Sequence, residues 1–474
     1  MANNKKSNKS KKKVKNRNLN NETIAALKRL TKAIQDLDHK GTDGNGIHTD
    51  ATVPDHNNHE HEHDHDSIQI RGFPLNHYQT LPSETTQSYK MLQDGSDAIH
   101  ALSTKYTLMA KLNLEDASQF TTDLRKGCEL IATAVFLIHQ PTSGCGRSLR
   151  TYTKNKSRAI LHSVSCLVEA FASGEALDGN GGAKLTGVLW QACEDVGRLP
   201  KGNRACMRRE LFGWVRECNE TMEEFQELID LGQSSDGNGD GNGNENENET
   251  NDETDNQWDD FCNNVGTGEQ YTSQELPIVQ ASHALIKCSR GILNLSLKAC
   301  DCAGDAVAFL EQQRDTKNAS PGGDDTDASL LNERKLRILQ WISNLHELCR
   351  KIGEGATDLG CVMYPPLNLS TETEERNEEG DADGNVKQED MWAQTEIGSQ
   401  VMEQTKYLLS AAHLIHNPIP PSSNANVEGQ GQQEQGVQES IEMSEEVKEL
   451  CSKLLSAIEK RSNEVKVGIH SLVN

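Results

Sequence analysis

The chain has 474 residues, of which 34% are hydrophobic and 4% aromatic, and its formal net charge is −24. Such a low apolar content indicates ordered segments separated by solvated ones rather than a single core. Residues 233–260 hold ten acidic and no basic side chains, and residues 370–390 hold nine acidic and two basic ones. The remaining chain is closer to neutral, so a nucleic-acid-binding fold, which needs a basic face, is disfavoured.

Residues 1–75 are predicted to be a mostly disordered tail with one short amphipathic helix at 19–38. The first seventeen residues hold eight Lys or Arg, which fits a nuclear import signal, a weak nucleic-acid contact or a solvated tail. The His-rich segment 55–66 alternates histidines with carboxylates but has no hydrophobic frame to fix a coordination geometry. We therefore predict no specific metal site there.

Residues 76–232 show a sustained helical period with no alternating strand pattern. Apolar residues recur at helical spacing and form stripes along the predicted helices. Two of these stripes are Leu185, Val188, Leu189, Ala192, Cys193 and Val196, and Leu211, Val215, Cys218, Met222, Phe225 and Ile229. Five such helices joined by short turns must bury their stripes against each other, which predicts an N-terminal helical bundle. Ser83, after Pro82, is a plausible helix start.

The segment 233–272 is predicted to be an acidic low-complexity linker. Asp236, Asn238, Asp240, Gly241 and Glu247 match a calcium-loop pattern. A calcium-binding loop of this kind needs a helix on each side, and the downstream side has no apolar residue to pack. We predict a tether, not a calcium site.

Residues 273–474 are predicted to form a C-terminal helical bundle interrupted by disordered inserts at 317–328, 370–390 and 418–440. The fold class is therefore all-α, with two bundles of long amphipathic helices. The most apolar run, 131–139, is too short to span a bilayer, and no secretory signal follows the start. The thirteen cysteines include no C-x-x-C pair, so we expect reduced thiols in an intracellular protein.

No recognised catalytic motif is present: the chain lacks H-E-x-x-H, G-x-S-x-G and the Walker-type phosphate loop. The histidines 139, 162, 283, 346 and 413 occur singly, where a structural or exposed role is the simpler interpretation. We therefore expect a protein that is not an enzyme and has neither catalytic residues nor a cofactor.

Several stretches resemble one known family. Trp190, Ala192 and Cys193 fit a W-x-A-C helix motif, and Leu199, Pro200 and Asn203 fit a P-[KR]-[DG]-N turn. Further matches are Asp358 with Tyr364, Pro365 and Pro366, the helix 276–295, and the Leu-rich stretch 24–37. Together these resemble the cyclin-D-binding protein family, also called GCIP or the human homologue of Maid.

The resemblance implies an all-helical, non-catalytic protein of the nucleus and cytoplasm that binds D-type cyclins or helix-loop-helix factors and restrains cell-cycle progression. Its motif residues are not a mapped binding site, and the spacing of Trp190 and Cys193 favours a place in the core. The partners expected are proteins, with no small-molecule substrate, nucleic acid or membrane.

The helix 203–231 is our candidate platform for a partner helix with a basic face, docked through apolar anchors three and four residues apart. Its exposed side carries Glu217, Glu220, Glu223, Glu224 and Glu227. These acids equally fit a solvated outer face of the bundle. Alternative functions are a cytoskeletal or adhesion-type helical scaffold and a metal-responsive protein acting through its His-rich and Asp/Asn-rich tracts.

Overall fold

The computed structural model describes residues 20–37, 75, 77–177, 180–234, 270–318, 325–369, 392–418, 441 and 443–473. The predicted basic and His-rich segments, the calcium-loop pattern, the insert 370–390 and most of the linker and of the insert 418–440 lie outside these residues.

Over the described residues the chain forms ten α-helices and no β-strand, which confirms the all-α fold. They are α1 (20–35), α2 (Ser83–Leu112), α3 (Leu114–Ile138), α4 (Arg147–Ser173), α5 (Gly181–Gly197), α6 (Asn203–Ser234), α7 (Leu276–Asn318), α8 (Asp325–Val362), α9 (Glu396–His416) and α10 (Glu445–Val473). A short 3₁₀ turn, Pro141–Ser143, lies between α3 and α4.

The chain divides into two compact units, Met1–Met207 and Arg208–Asn474. The division falls inside α6, whereas we predicted the domain boundary in the acidic segment 233–272. The physical reason is packing: from Arg208 onward, α6 buries Leu211, Cys218, Phe225 and Ile229 with the second unit. The apolar stripe of this helix is thus part of the second core.

In the first unit α1 packs on the bundle, with Leu27 and Ile34 fully buried in the same core as α2–α5. An ion pair between Lys28 and Glu169, 2.6 Å apart, also joins α1 to α4, but it is exposed to solvent and the buried apolar contacts hold the helix. The sequence left open whether this short helix docks or floats, because its modest amphipathicity fits both. The structure shows that it docks.

Helices α2 and α3 cross closely where glycines face each other. A Cβ added to Gly95 would lie 2.9 Å from Ile131 Cγ1, and one added to Gly127 would lie 2.7 Å from Ile99 Cγ1. Two isoleucines thus occupy the space that the glycines leave free, and this close approach depends on the absence of both Cβ atoms.

Helix α7 lies at the centre of the second unit, packed against α8, α9 and α10. Buried Gln404 of α9 donates from Nε2 to Ser289 Oγ (2.8 Å) and to the Ile352 carbonyl (3.0 Å), which ties α9 to both α7 and α8. A buried amide whose N–H donors find partners on two helices fixes the register of those helices.

The second part of α6 packs on α7 and α8 through polar as well as apolar contacts. Arg290 donates to Asn219 Oδ1 (3.1 Å), and His283 Nε2 lies 3.1 Å from the Met222 carbonyl. Trp214 covers Gly353 so closely that a Cβ there would lie 2.5 Å from the indole Cγ. Gly353 therefore makes room for the indole against α8.

Two details differ from the predicted pattern. Val188 is 59% exposed, because it is turned about 100° from Leu189 and leaves the buried arc of α5. Helix α7 continues to Asn318 and α8 begins at Asp325, so the insert predicted at 317–328 is helical at both its ends.

Candidate protein-interaction surfaces

Asn203 closes the turn before α6 and joins three parts of the first unit. Its side-chain Oδ1 accepts from the Gly146 amide (2.7 Å), and its Nδ2 donates to the carbonyls of Gly144 (2.8 Å) and His77. Gly144 has φ of 68°, a left-handed conformation that suits glycine. The asparagine is 1% exposed, so it is a structural latch rather than a contact residue.

The residues just before this latch are also structural. Leu199 is buried, and the Pro200 carbonyl accepts from the Tyr89 hydroxyl (3.2 Å) on α2. Burial raises the pKa of Tyr89 above its ordinary value, so the hydroxyl remains a donor even at strongly alkaline pH. The motif over 199–203 thus fastens the end of α5 to α2.

The W-x-A-C motif on α5 divides between core and surface. Cys193 is 4% exposed, and burial raises the pKa of its thiol to about 11. Ala192 is also buried. Trp190 is 36% exposed, so it lies on the rim of the unit and not in the core where its spacing with Cys193 placed it.

The acidic face of α6 is exposed throughout. All five glutamates that we singled out, 217, 220, 223, 224 and 227, have exposed side chains. Arg216 lies 3.5 Å from Glu220, and this pair is largely solvated, so it contributes little to stability. From Glu217 to Leu231 the helix has no lysine or arginine, so this face presents negative charge to solvent.

The Tyr-Pro-Pro segment lies against this face within the second unit. The Tyr364 hydroxyl donates to the Glu224 carboxylate, and the Tyr364 ring lies 5.4 Å from that of Phe225. Burial, followed by the bond to Glu224, raises the pKa of Tyr364 to about 12. The structure thus brings together Glu224, predicted as part of the acidic face, and Tyr364, which belongs to a separate sequence motif.

The backbone around Tyr364 is held from the start of α7. The Tyr271 hydroxyl donates to the Met363 carbonyl (2.6 Å), and the Leu367 amide donates to Glu275 Oε1 (2.8 Å). Glu275 Oε2 also accepts from the Thr272 amide (2.8 Å), as in a capping box. One carboxylate therefore caps α7 and anchors the loop, a role that sequence reasoning missed although the T-x-x-E spacing signals it.

The other predicted motif residues have simpler environments. Asp358 and Pro366 are exposed, and Pro365 is partly buried. The Pro365–Pro366 bond is cis. These residues belong to the second unit, whereas Asn203 and Trp190 belong to the first.

The described residues show neither a metal-binding cluster nor a membrane-spanning helix. They contain no group of three or more His, Cys, Asp or Glu that could hold a metal ion. In that part of the chain no helix is both long and apolar enough to cross a membrane. Of the twelve cysteines described, nine are buried, and in each whose shift is resolved burial raises the thiol pKa.

The fold and its surfaces define an all-helical protein of two compact units, with structural motifs at its helix junctions and an acidic exposed helix. Residues 91–231 match the family model described as Grap2 and cyclin-D-interacting, N-terminal. The match supports the resemblance to the cyclin-D-binding protein family over this stretch, which runs from α2 through α6. No curated protein matches the chain.

Proposed function

We propose that this chain is a non-catalytic interaction protein that binds D-type cyclins or helix-loop-helix factors and thereby restrains cell-cycle progression or transcription. The observation that carries the proposal is the family match over residues 91–231, whose description names interaction with cyclin D. The match includes every residue of the W-x-A-C and P-K-G-N motifs and the whole acidic face of α6. We place the protein in the nucleus and cytoplasm, where such partners act.

The acidic face of α6 suits a partner helix with lysines or arginines on one side. Opposite charges across an interface accelerate association and select the partner, and this effect weakens as salt is added. Leu231, which is 57% exposed, and the half-exposed ring of Tyr364 add apolar area beside the glutamates. An amphipathic partner helix could therefore place both kinds of side chain on this surface.

The test measures binding of the purified full-length chain to a D-type cyclin and to a helix-loop-helix domain. The variant reverses Glu220, Glu223 and Glu227 to lysine and leaves Glu224, which holds Tyr364, unchanged. Three reversals at a charged rim should weaken binding at least about tenfold and reduce its salt dependence.

A matched control makes the same change in net charge elsewhere. Glu446, Glu449 and Glu459 are exposed on α10 and can be reversed together. If both triple variants bind like the unmodified chain, the platform on α6 is wrong. If the unmodified chain binds neither probe and instead co-sediments with filaments, the helical-scaffold alternative replaces the proposed function.

A further inference from the structure

Helices α2 and α5 run antiparallel, and their outer edges form a groove. Three hydrogen bonds fix the pairing: Ser96 Oγ to the Cys193 carbonyl (3.0 Å), Trp190 Nε1 to Ser103 Oγ (3.2 Å), and Thr107 Oγ1 with Thr186 Oγ1 (2.6 Å). The contacts advance along α2 as they go back along α5. These small polar side chains are buried and hold the two helices together beneath the groove.

Trp190 stands at the middle of this groove as a fixed aromatic surface. Its indole N–H is held by Ser103, and its ring stacks on His100 with centroids 5.2 Å apart and planes inclined by 26°. The side chain is nevertheless 36% exposed. A large ring that is already immobilised loses little conformational entropy on binding, which is why tryptophan is enriched among the dominant residues of interfaces.

Beyond Trp190, α5 presents small residues and α2 presents an exposed leucine. Ala183 and Gly187 precede Trp190 at helical spacing, and a Cβ added to Gly187 would meet no atom within 4 Å. On α2, Leu108 follows His100 by about two turns and is 61% exposed. The small residues of α5 beside Trp190 leave room for another helix to approach.

At its other end the groove widens into an open cleft of about 420 Å³, lined by Gln93, Asp97, His100, Cys193, Glu194 and Arg198. Arg198 already lies 3.3 Å from Glu194 and 3.7 Å from Asp195. With the arginine engaged in this way, Asp97 leaves the cleft with an excess of negative charge. A basic side chain complements this end.

We propose that the α2–α5 groove docks an amphipathic helix of the partner, with an apolar side chain on Trp190 and a lysine or arginine at the cleft. The proposal rests on the proposed function for the identity of the partner and adds a second contact for that partner, in the first unit. The groove belongs to the first unit and the acidic face of α6 to the second, so separate variants test the two sites.

The decisive variants are Gly187→Gln and Gly213→Gln. Both glycines lie inside helices and face open space, so a glutamine at either position leaves the packing intact. Gly187→Gln fills the groove next to Trp190, whereas Gly213→Gln makes the same chemical change on α6. Binding of the full-length chain to a D-type cyclin and to a helix-loop-helix domain is measured, with thermal unfolding as the check on folding.

We expect Gly187→Gln to weaken binding roughly tenfold or more and Gly213→Gln to leave it unchanged, while Trp190→Ala weakens it at least as much. Equal binding by Gly187→Gln and the unmodified chain would overturn the groove and leave the proposed function standing. Loss only in Gly213→Gln would place the partner on α6 and also overturn it. If the unmodified chain binds neither probe, the proposed function fails and the groove fails with it.

Discussion

Removing the Asn203 side chain should destabilise the first unit. The side chain makes three hydrogen bonds, to the Gly146 amide and to the carbonyls of Gly144 and His77. Each hydrogen bond to a carbonyl contributes about 1 kcal/mol, and leaving the Gly146 amide without a partner costs about 1–3 kcal/mol. Asn203→Ala should therefore lower the free energy of unfolding by about 3–5 kcal/mol. This is a large share of the stability of an ordinary domain, about 5–15 kcal/mol.

Hydrogen exchange followed by mass spectrometry suits this test, since it reports the opening free energy of each unit separately. Protection should fall in peptides of Met1–Met207 and change little in those of Arg208–Asn474. Asn203→Asp is a sharper variant: its carboxylate can accept from the Gly146 amide but cannot donate to either carbonyl. We expect it to be nearly as damaging as alanine at neutral pH and to recover in part when the carboxyl protonates.

Asn180→Ala is the matched control. Asn180 also stands at the start of a helix, α5, but it is exposed and its side chain makes no capping hydrogen bond. Its replacement should cost a few tenths of a kcal/mol (about 0.5 at most). If Asn203→Ala lowers protection of the first unit no more than Asn180→Ala does, the Asn203 hydrogen bonds do not stabilise that unit as proposed.

Two further predictions concern the packing and the pH response. Gly353→Ala places a Cβ 2.5 Å from Trp214 Cγ and should destabilise the second unit by about 1–3 kcal/mol. Gly213→Ala adds a Cβ that meets no atom within 4 Å and should stabilise the same unit by about 0.5–1 kcal/mol. Urea unfolding of both variants measures these changes. Lys156 lies 2.7 Å from Asp195, and that hydrogen bond lowers the pKa of Asp195. A depressed carboxyl pKa stabilises the fold above the unfolded value, near pH 4, and the effect disappears as pH falls through the folded pKa. The Tm difference between Asp195→Asn and the unmodified chain should therefore be present at pH 7 and shrink as the pH falls below about 4 and through the folded pKa; a difference that is constant with pH would contradict this.

Helical periodicity predicted most of this fold because it is a local signal. The stripe Leu211, Cys218, Phe225 and Ile229 is buried as its spacing requires, and the five glutamates of α6 fall on the opposite side. Which unit that stripe joins is a non-local fact. It depends on Trp214 meeting Gly353 and on His283 reaching the Met222 carbonyl, contacts that no spacing within α6 encodes.

The candidate surfaces show the same limit at the level of single residues. Trp190 and Cys193 are three residues apart, which places both near one face of α5. The angle of about 60° between them around the helix nevertheless separates a core thiol from a rim indole. Cys193 is 4% exposed, whereas Trp190 is 36% exposed although its ring contacts Ser103 and His100 of α2. Periodicity locates the edge of an apolar stripe only to within one residue, and a binding groove between two helices is made of those edge residues. The residues best placed to contact a partner are therefore the ones whose burial the sequence specifies least.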